Sequence, residues 1–281
     1  MVDGQVELPA AAESCPTCGA SRVGRYCPRC GEKFLEPDEL SFSHFFRKHV
    51  MHEFIEVDGR IGRGLWSLFV KPGALAKDFV AGRRQRFSSP LRIYLVIYLL
   101  HAFLDAVFFH NSVTLPERAK LFDRGNLLGR LIASRSGVDW SSEVLQARLA
   151  ERTHWTGEFG TFLIFVGLAG VQACVFYKLR RTYVEHLALA LSVCAWFLSM
   201  LTLGDIVLVA FWHAPDFYTQ VAAQSWIALL GLPVYWAVSI RRFYGLGWPI
   251  CALTGVLMTV STAYVAKFLN ALLIALLVIT A

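Results

Sequence analysis

The chain has 281 residues, of which 56% are hydrophobic and 14% aromatic, with only 17% charged and a mean hydropathy of +0.48. A soluble domain is nearer a quarter charged, so composition excludes an ordinary water-soluble globule and sets membrane protein as the expected class. The formal charge of +6 would suit nucleic acid, but the basic residues flank apolar stretches, where they set membrane orientation instead.

Residues 1–14 carry Asp3, Glu7 and Glu13, no basic residue and no apolar run of signal-peptide length. The first forty residues are therefore expected to stay in the cytoplasm, where thiols remain reduced and paired cysteines read as a metal site rather than a disulfide framework. Cys15 and Cys18 form one C-x2-C pair and Cys27 and Cys30 another, and each pair runs on into a glycine, Gly19 and Gly31. Two thiolates three residues apart can hold one face of a tetrahedral zinc, and a glycine at positive φ lets backbone N–H groups turn toward the sulfurs. The intervening GASRVGRY is long enough for a hairpin turning at Gly24. An iron–sulfur site or four idle thiols are the alternatives. Doubled pairs, each with its glycine, favour a structural zinc with four protein ligands and no open position for a catalytic water.

Residues 34–58 start as an acidic, Pro-containing linker and continue as a helix lined by Phe42, Phe45, Phe46, Val50 and Phe54. His44, His49 and His52 read as its polar face rather than as a second metal site. The following stretch, GRIGRGLWSLFVKPGALAKDFVAGRRQRFSSP, interleaves apolar residues with Arg60, Arg63, Lys71, Lys77, Arg83, Arg84 and Arg86. It is too charged to cross a bilayer. The pattern predicts two short helices, broken at Pro72-Gly73 and lying in the headgroup region, with Arg83, Arg84 and Arg86 as a basic membrane-surface patch.

Five apolar stretches, near 90–109, 158–177, 187–211, 221–240 and 249–270, approach the roughly 20 residues a spanning helix needs. The expected fold is thus an all-α membrane protein of about five transmembrane helices, preceded by a small cytoplasmic zinc ribbon. Its parts are a tail and ribbon over 1–33, linker and interfacial helices over 34–89, and a helix bundle over 90–281 with an external loop at 110–157. Arg83, Arg84 and Arg86 precede the first span, Lys178, Arg180 and Arg181 join the second to the third, and Arg241 and Arg242 join the fourth to the fifth. All fall on one side, which the positive-inside rule makes cytoplasmic, leaving the C-terminus external. Against this, the 110–157 loop carries seven Lys and Arg residues among five acids, although long loops obey the rule less strictly.

Ionisable groups within spans are costly and so are candidate functional residues. His101 and Asp105 lie four apart on one helical face, as a proton-relay pair or as hydrogen-bonded packing. Asp205 in the third span and Lys267 in the fifth are available partners. Cys174, Cys194 and Cys251 lack pair spacing and read as small hydrophobes. No Walker-type phosphate loop, G-x-S-x-G elbow or H-E-x-x-H motif is present, so no familiar enzyme is expected.

Four ordered motifs, YCPRCGEK, KPGALAKDFVAGRRQRFSSPLRIYLVIYLL, RTYVEHLALAL and IRRFYGLGW, resemble those of a family of bacterial integral membrane proteins known as domain of unknown function number 3667. The resemblance implies that Pro72, Gly73, Gly82, Arg84, Pro90, Tyr183, Glu185, His186 and Tyr244 occupy recurring family positions. It brings no established activity. Where relatives often carry two further histidines this chain has Ser192 and Cys194, which weakens a metal-transport or redox reading. Tyr183, Glu185 and His186 remain, either as a polar site at the cytoplasmic mouth of the third span or as interfacial anchors and a helix-start hydrogen bond. The five-span layout also resembles, more distantly, the Yip-type membrane-trafficking proteins.

These readings converge on a non-enzymatic inner-membrane scaffold, in contact with lipid, whose zinc ribbon docks or senses a cytoplasmic protein; nucleic acid is not expected. The alternative is a transporter or channel using His101, Asp105, Asp205 and Lys267. A weaker third is an enzyme acting on lipid with Glu185 and His186 as its acid–base pair.

Overall fold

A computed structural model of the protein describes residues 14–21, 24–34, 59–104, 107, 163–212 and 224–280. The linker helix with its three histidines, the 110–157 loop and Asp105 lie outside the described residues. Among the described residues the fold is helical, and β-structure is limited to two isolated antiparallel bridges, Ser14 with Ser21 and Tyr26 with Lys33. These bridges close two small loops, one around each cysteine pair, and Gly24, where the expected hairpin turns, has φ 73°.

Two short helices, α1 (Gly59–Val70) and α2 (Ala74–Val80), are broken where the sequence predicts, at Pro72-Gly73. The two helices differ in how far they enter the bundle. Only α1 keeps a strongly exposed apolar face, at Trp66, Phe69 and Val70. Leu75, Ala76 and Phe79 of α2 are 5% exposed or less and belong to the main core. The break itself explains this seating. Gly73 adopts φ 76°, and a Cβ there would stand 2.8 Å from the Ser239 carbonyl oxygen, so the missing side chain lets the turn close onto a neighbouring helix backbone. Carbonyls left without a helical partner at the break are taken by side chains of that neighbour. The Tyr235 hydroxyl donates to Leu68 O at 3.0 Å and the Arg242 guanidinium to Pro72 O at 2.8 Å.

The bundle follows. α3 (Pro90–Leu104) and α4 (Leu163–Val175) flank α5 (Tyr183–Trp212), while α6 (Leu232–Tyr244) packs along α7 (Trp248–Thr280). α5 is apolar all round, and Val184 and Leu187–Leu191 are essentially inaccessible, as expected of a central helix. The Tyr94 ring packs edge-on against Phe165, joining α3 to α4. α6 is preceded by a π-helical turn, Ile227–Gly231, just ahead of Pro233, which has no N–H to donate and whose ring crowds the carbonyl four residues back. α6 and α7 approach closely because a Cβ at Gly255 would lie 2.6 Å from Pro233 O, a small-residue crossing typical of helices in lipid.

Two described helices are long and apolar enough to cross a membrane, within α5 at Tyr183–Leu208 and within α7 at Trp248–Leu269, fewer than the five expected. α3 has 15 described residues, ~22 Å of helix, short of a ~30 Å hydrocarbon core. α4 is also shorter, and the segment before α6 is widened by its π turn. α7 nevertheless exposes Leu253, Val256, Val260, Tyr264 and Phe268, and α3 exposes Leu99, Leu100 and Phe103. Continuous apolar surface of this extent suits lipid rather than water.

Candidate metal centre and polar sites of the bundle

The four cysteines predicted as ligands come together. All their sulfurs lie within 4.8 Å of one another, with Cys15 to Cys30 and Cys18 to Cys27 each at 3.5 Å. Four thiolates ~2.3 Å from a tetrahedral metal would be ~3.8 Å apart, within this range, so the donor set fits a metal ion. Gly19 and Gly31, both at φ 72°, donate backbone N–H to Cys15 O and Cys27 O at 2.9 Å, the tight knuckle turns that their positions predict. Phe34 packs beneath Cys15 and Cys27 as a miniature core.

The thiols are electrostatically unequal. At Cys27 desolvation opposes ionisation, but backbone N–H groups of Cys30 and Arg29, helped by the Cys18 and Cys30 thiols, outweigh it and bring the thiol down to about 6. At Cys30 the backbone N–H of Glu32 favours the thiolate, but desolvation and the three neighbouring thiols prevail and push it up to about 12. Thiolates packed this closely repel one another, and a bound cation removes the conflict.

The metal module is seated on the bundle through a residue not anticipated as functional. Glu32, 1% exposed, accepts from the backbone N–H of Arg84 and of Gln85, both at 3.1 Å, and from the Thr17 hydroxyl at 2.7 Å. Two successive amides aimed at one carboxylate form an anion-binding nest. Arg83 Nε donates to Pro16 O at 3.0 Å and Gln85 Nε2 to Gly31 O at 3.1 Å, so both knuckles are held by one turn. The basic patch is half-exposed and anchored at its inner edge. Arg83 and Arg86 both pair with buried Asp78, at 3.1 and 3.5 Å, and the Arg84 guanidinium lies over the Phe79 ring. An acid directly after the second C-x2-C-G is the sequence signal that would have singled out Glu32, and the sequence reading passed over it.

At the start of α5, Tyr183, Glu185 and His186 are committed to structural bonds. Glu185 accepts from Thr182 N and Thr182 Oγ1 at 3.3 and 3.2 Å and pairs with Arg181 at 2.8 Å, the carboxylate half of a capping box at the helix N-terminus. The Tyr183 hydroxyl donates to Val166 O at 2.8 Å, tying α5 to α4. His186, 1% exposed, has Nδ1 2.6 Å from the Tyr244 hydroxyl, which also contacts Gln172 Oε1 at 3.3 Å. One phenol thus links three helices. Farther along α5, the Ser192 hydroxyl donates to Ala188 O at 2.8 Å and buried Cys194 lines an apolar cavity.

Of the intramembrane candidates, the structure brings His101 of α3 to α5. Its Nδ1 is 3.2 Å from Thr202 Oγ1 and 4.0 Å from Asp205 Oδ2, while Gln224 Nε2 reaches Asp205 Oδ1 at 3.5 Å. Lys267 is exposed on α7 and makes no ion pair among the described residues.

A family model described as Protein of unknown function (DUF3667) matches residues 58–101, from the start of α1 through the Pro72-Gly73 break and the Glu32-binding turn to His101. The resemblance read from the sequence motifs holds over this stretch, and the cysteine cluster ahead of it fits a zinc ribbon. No curated protein and no solved structure matches the chain.

Proposed function

We propose that this is a non-enzymatic membrane scaffold whose N-terminal zinc ribbon sits on the cytoplasmic side and senses or recruits a protein partner. The observation that carries the reading is Glu32, which couples the metal module to the turn leading into α3. A knuckle fastened in this way transmits its metal state to the bundle, whereas a module trailing on a linker does not. Zinc is the ion of choice because an all-cysteine tetrahedral site suits it and leaves no position open for substrate. The cytoplasmic assignment rests on the basic residues flanking α3, α5 and α6, which lie at the same end of the bundle as the module. The non-enzymatic reading is supported by Glu185 and His186, whose polar atoms are engaged by the capping box and by Tyr244.

The test is affinity purification of the intact protein from its native membrane beside a Cys27→Ala, Cys30→Ala variant, with metal analysis and mass spectrometry of co-purifying proteins. Loss of a partner together with one equivalent of zinc is expected. An unchanged partner list with zinc lost would reduce the ribbon to a folding device. A second reading, transport, draws on the His101–Asp205 contact.

A further inference from the structure

We propose that His101 and Asp205 together form a binding site for a single proton within the membrane-embedded bundle. The inference is independent of the metal module and supplies an ion for the transport reading, on whose membrane placement it rests. Asp205 lies 22 residues along α5 from Tyr183, ~33 Å of helix and close to the far end of the apolar span, yet its side chain is only 5% exposed. A carboxylate in such surroundings is expensive without a compensating cation, and His101 is the basic side chain placed beside it.

The hydrogen bonding fixes which nitrogen exchanges the proton. Thr202 has one hydroxyl hydrogen, and its 2.8 Å contact with Leu198 O requires that hydrogen, because a carbonyl can only accept. Toward His101 Nδ1, at 3.2 Å, the hydroxyl therefore accepts, so Nδ1 carries hydrogen in both charge states. Nε2 is left to gain and lose the proton, on a side chain 20% exposed and so more accessible than Asp205. Protonated, the pair is imidazolium and carboxylate, with no net charge. Deprotonation at Nε2 releases one proton and leaves imidazole and carboxylate, net minus one, with the carboxylate accepting from the Gln224 amide.

No other titrating group among the described residues competes at this level. On α3 itself Tyr98 and Tyr94 are phenols lying one and two turns nearer Pro90, and Arg92 lies toward that same end. On α5 Cys194 is 11 residues, ~16 Å, nearer the start of the helix. From α1 and α2, which also pack on α3, Arg63 bonds Arg86 O and Asp78 is held by Arg83 and Arg86, all beside the turn that precedes Pro90. The segment before α6 contributes Gln224, which does not titrate.

The test is a pH titration of full-length protein in nanodiscs, labelled with 15N-histidine and read by solid-state NMR, for wild type, Asp205→Asn and Thr202→Val. Wild type is expected to show a neutral His101 protonated at Nδ1 and to take up one proton at Nε2 on acidification. Asp205→Asn should lose that uptake, one proton per protein, over the same range. Thr202→Val should keep the proton but lose the Nδ1 preference of the neutral ring. A wild-type neutral ring carrying hydrogen on Nε2, or an Asp205→Asn variant that titrates like wild type, overturns the proposal. The tautomer measurement decides the matter even if Asp205→Asn does not fold. Proton flux into dye-loaded vesicles is a separate readout: its absence refutes transport and leaves the proton site standing.

Discussion

Replacing Glu32 by glutamine separates the contact between metal module and bundle from the metal site itself. The carboxylate serves three donors: Thr17 Oγ1 and Gln85 N at one oxygen, Arg84 N at the other. A glutamine that keeps its carbonyl toward Thr17 and Gln85 points its NH2 at the Arg84 N–H, donor against donor. Losing a hydrogen bond to a charged group in a buried position costs ~1.5–3 kcal/mol. A cost of ~2 kcal/mol corresponds to a roughly thirtyfold shift in the equilibrium between seated and released module. The four cysteines are untouched and metal content should stay at the wild-type value. Exchange of the Arg84 and Gln85 amides, followed by hydrogen–deuterium mass spectrometry in nanodiscs, should accelerate by about that factor, because the seat must open for exchange to occur. Unchanged exchange at this turn would refute the reasoning. Accelerated exchange accompanied by metal loss would show instead that Glu32 serves to fold the knuckle.

Gly73→Ala should destabilise the protein by ~2–4 kcal/mol, combining ~1–2 for a side chain at φ 76° with overpacking against the Ser239 backbone, which cannot give way. Thermal unfolding in nanodiscs checks this, and an unchanged midpoint would mean that α2 does not depend on that close approach. Tyr244→Phe should cost ~1–3 kcal/mol because it strands His186 Nδ1 and the Gln172 amide together. Tyr183→Phe loses only the bond to Val166 O and should cost ~1 kcal/mol, so the same assay should rank the two variants in that order.

The capping box at Thr182–Glu185 shows one kind of legibility. Its spacing was visible as the helix-start alternative for Glu185, since the interaction spans three residues and needs only local geometry. The seating of α2 was not visible. Alternating basic and apolar residues suit a headgroup helix, and only the fit of Gly73 against Ser239, 166 positions later in the chain, draws α2 into the core. Asp78 likewise looks like a surface charge in sequence. In the fold it is the buried anion on which Arg83 and Arg86 converge.

What the sequence determined by itself was whatever is encoded within a few turns of chain: the four sulfurs converging within sixteen residues, the break at Pro72-Gly73, and the apolar lengths of α5 and α7. What only the tertiary structure decided was which helix faces meet. A helix as uniformly apolar as α5 has no periodicity to mark the side that receives a neighbour. The pairing of His101 with Asp205, the bridge from His186 to Tyr244 and the seat of Glu32 on the Arg84–Gln85 amides each depend on helix rotation and offset across dozens of residues, and these are set by packing.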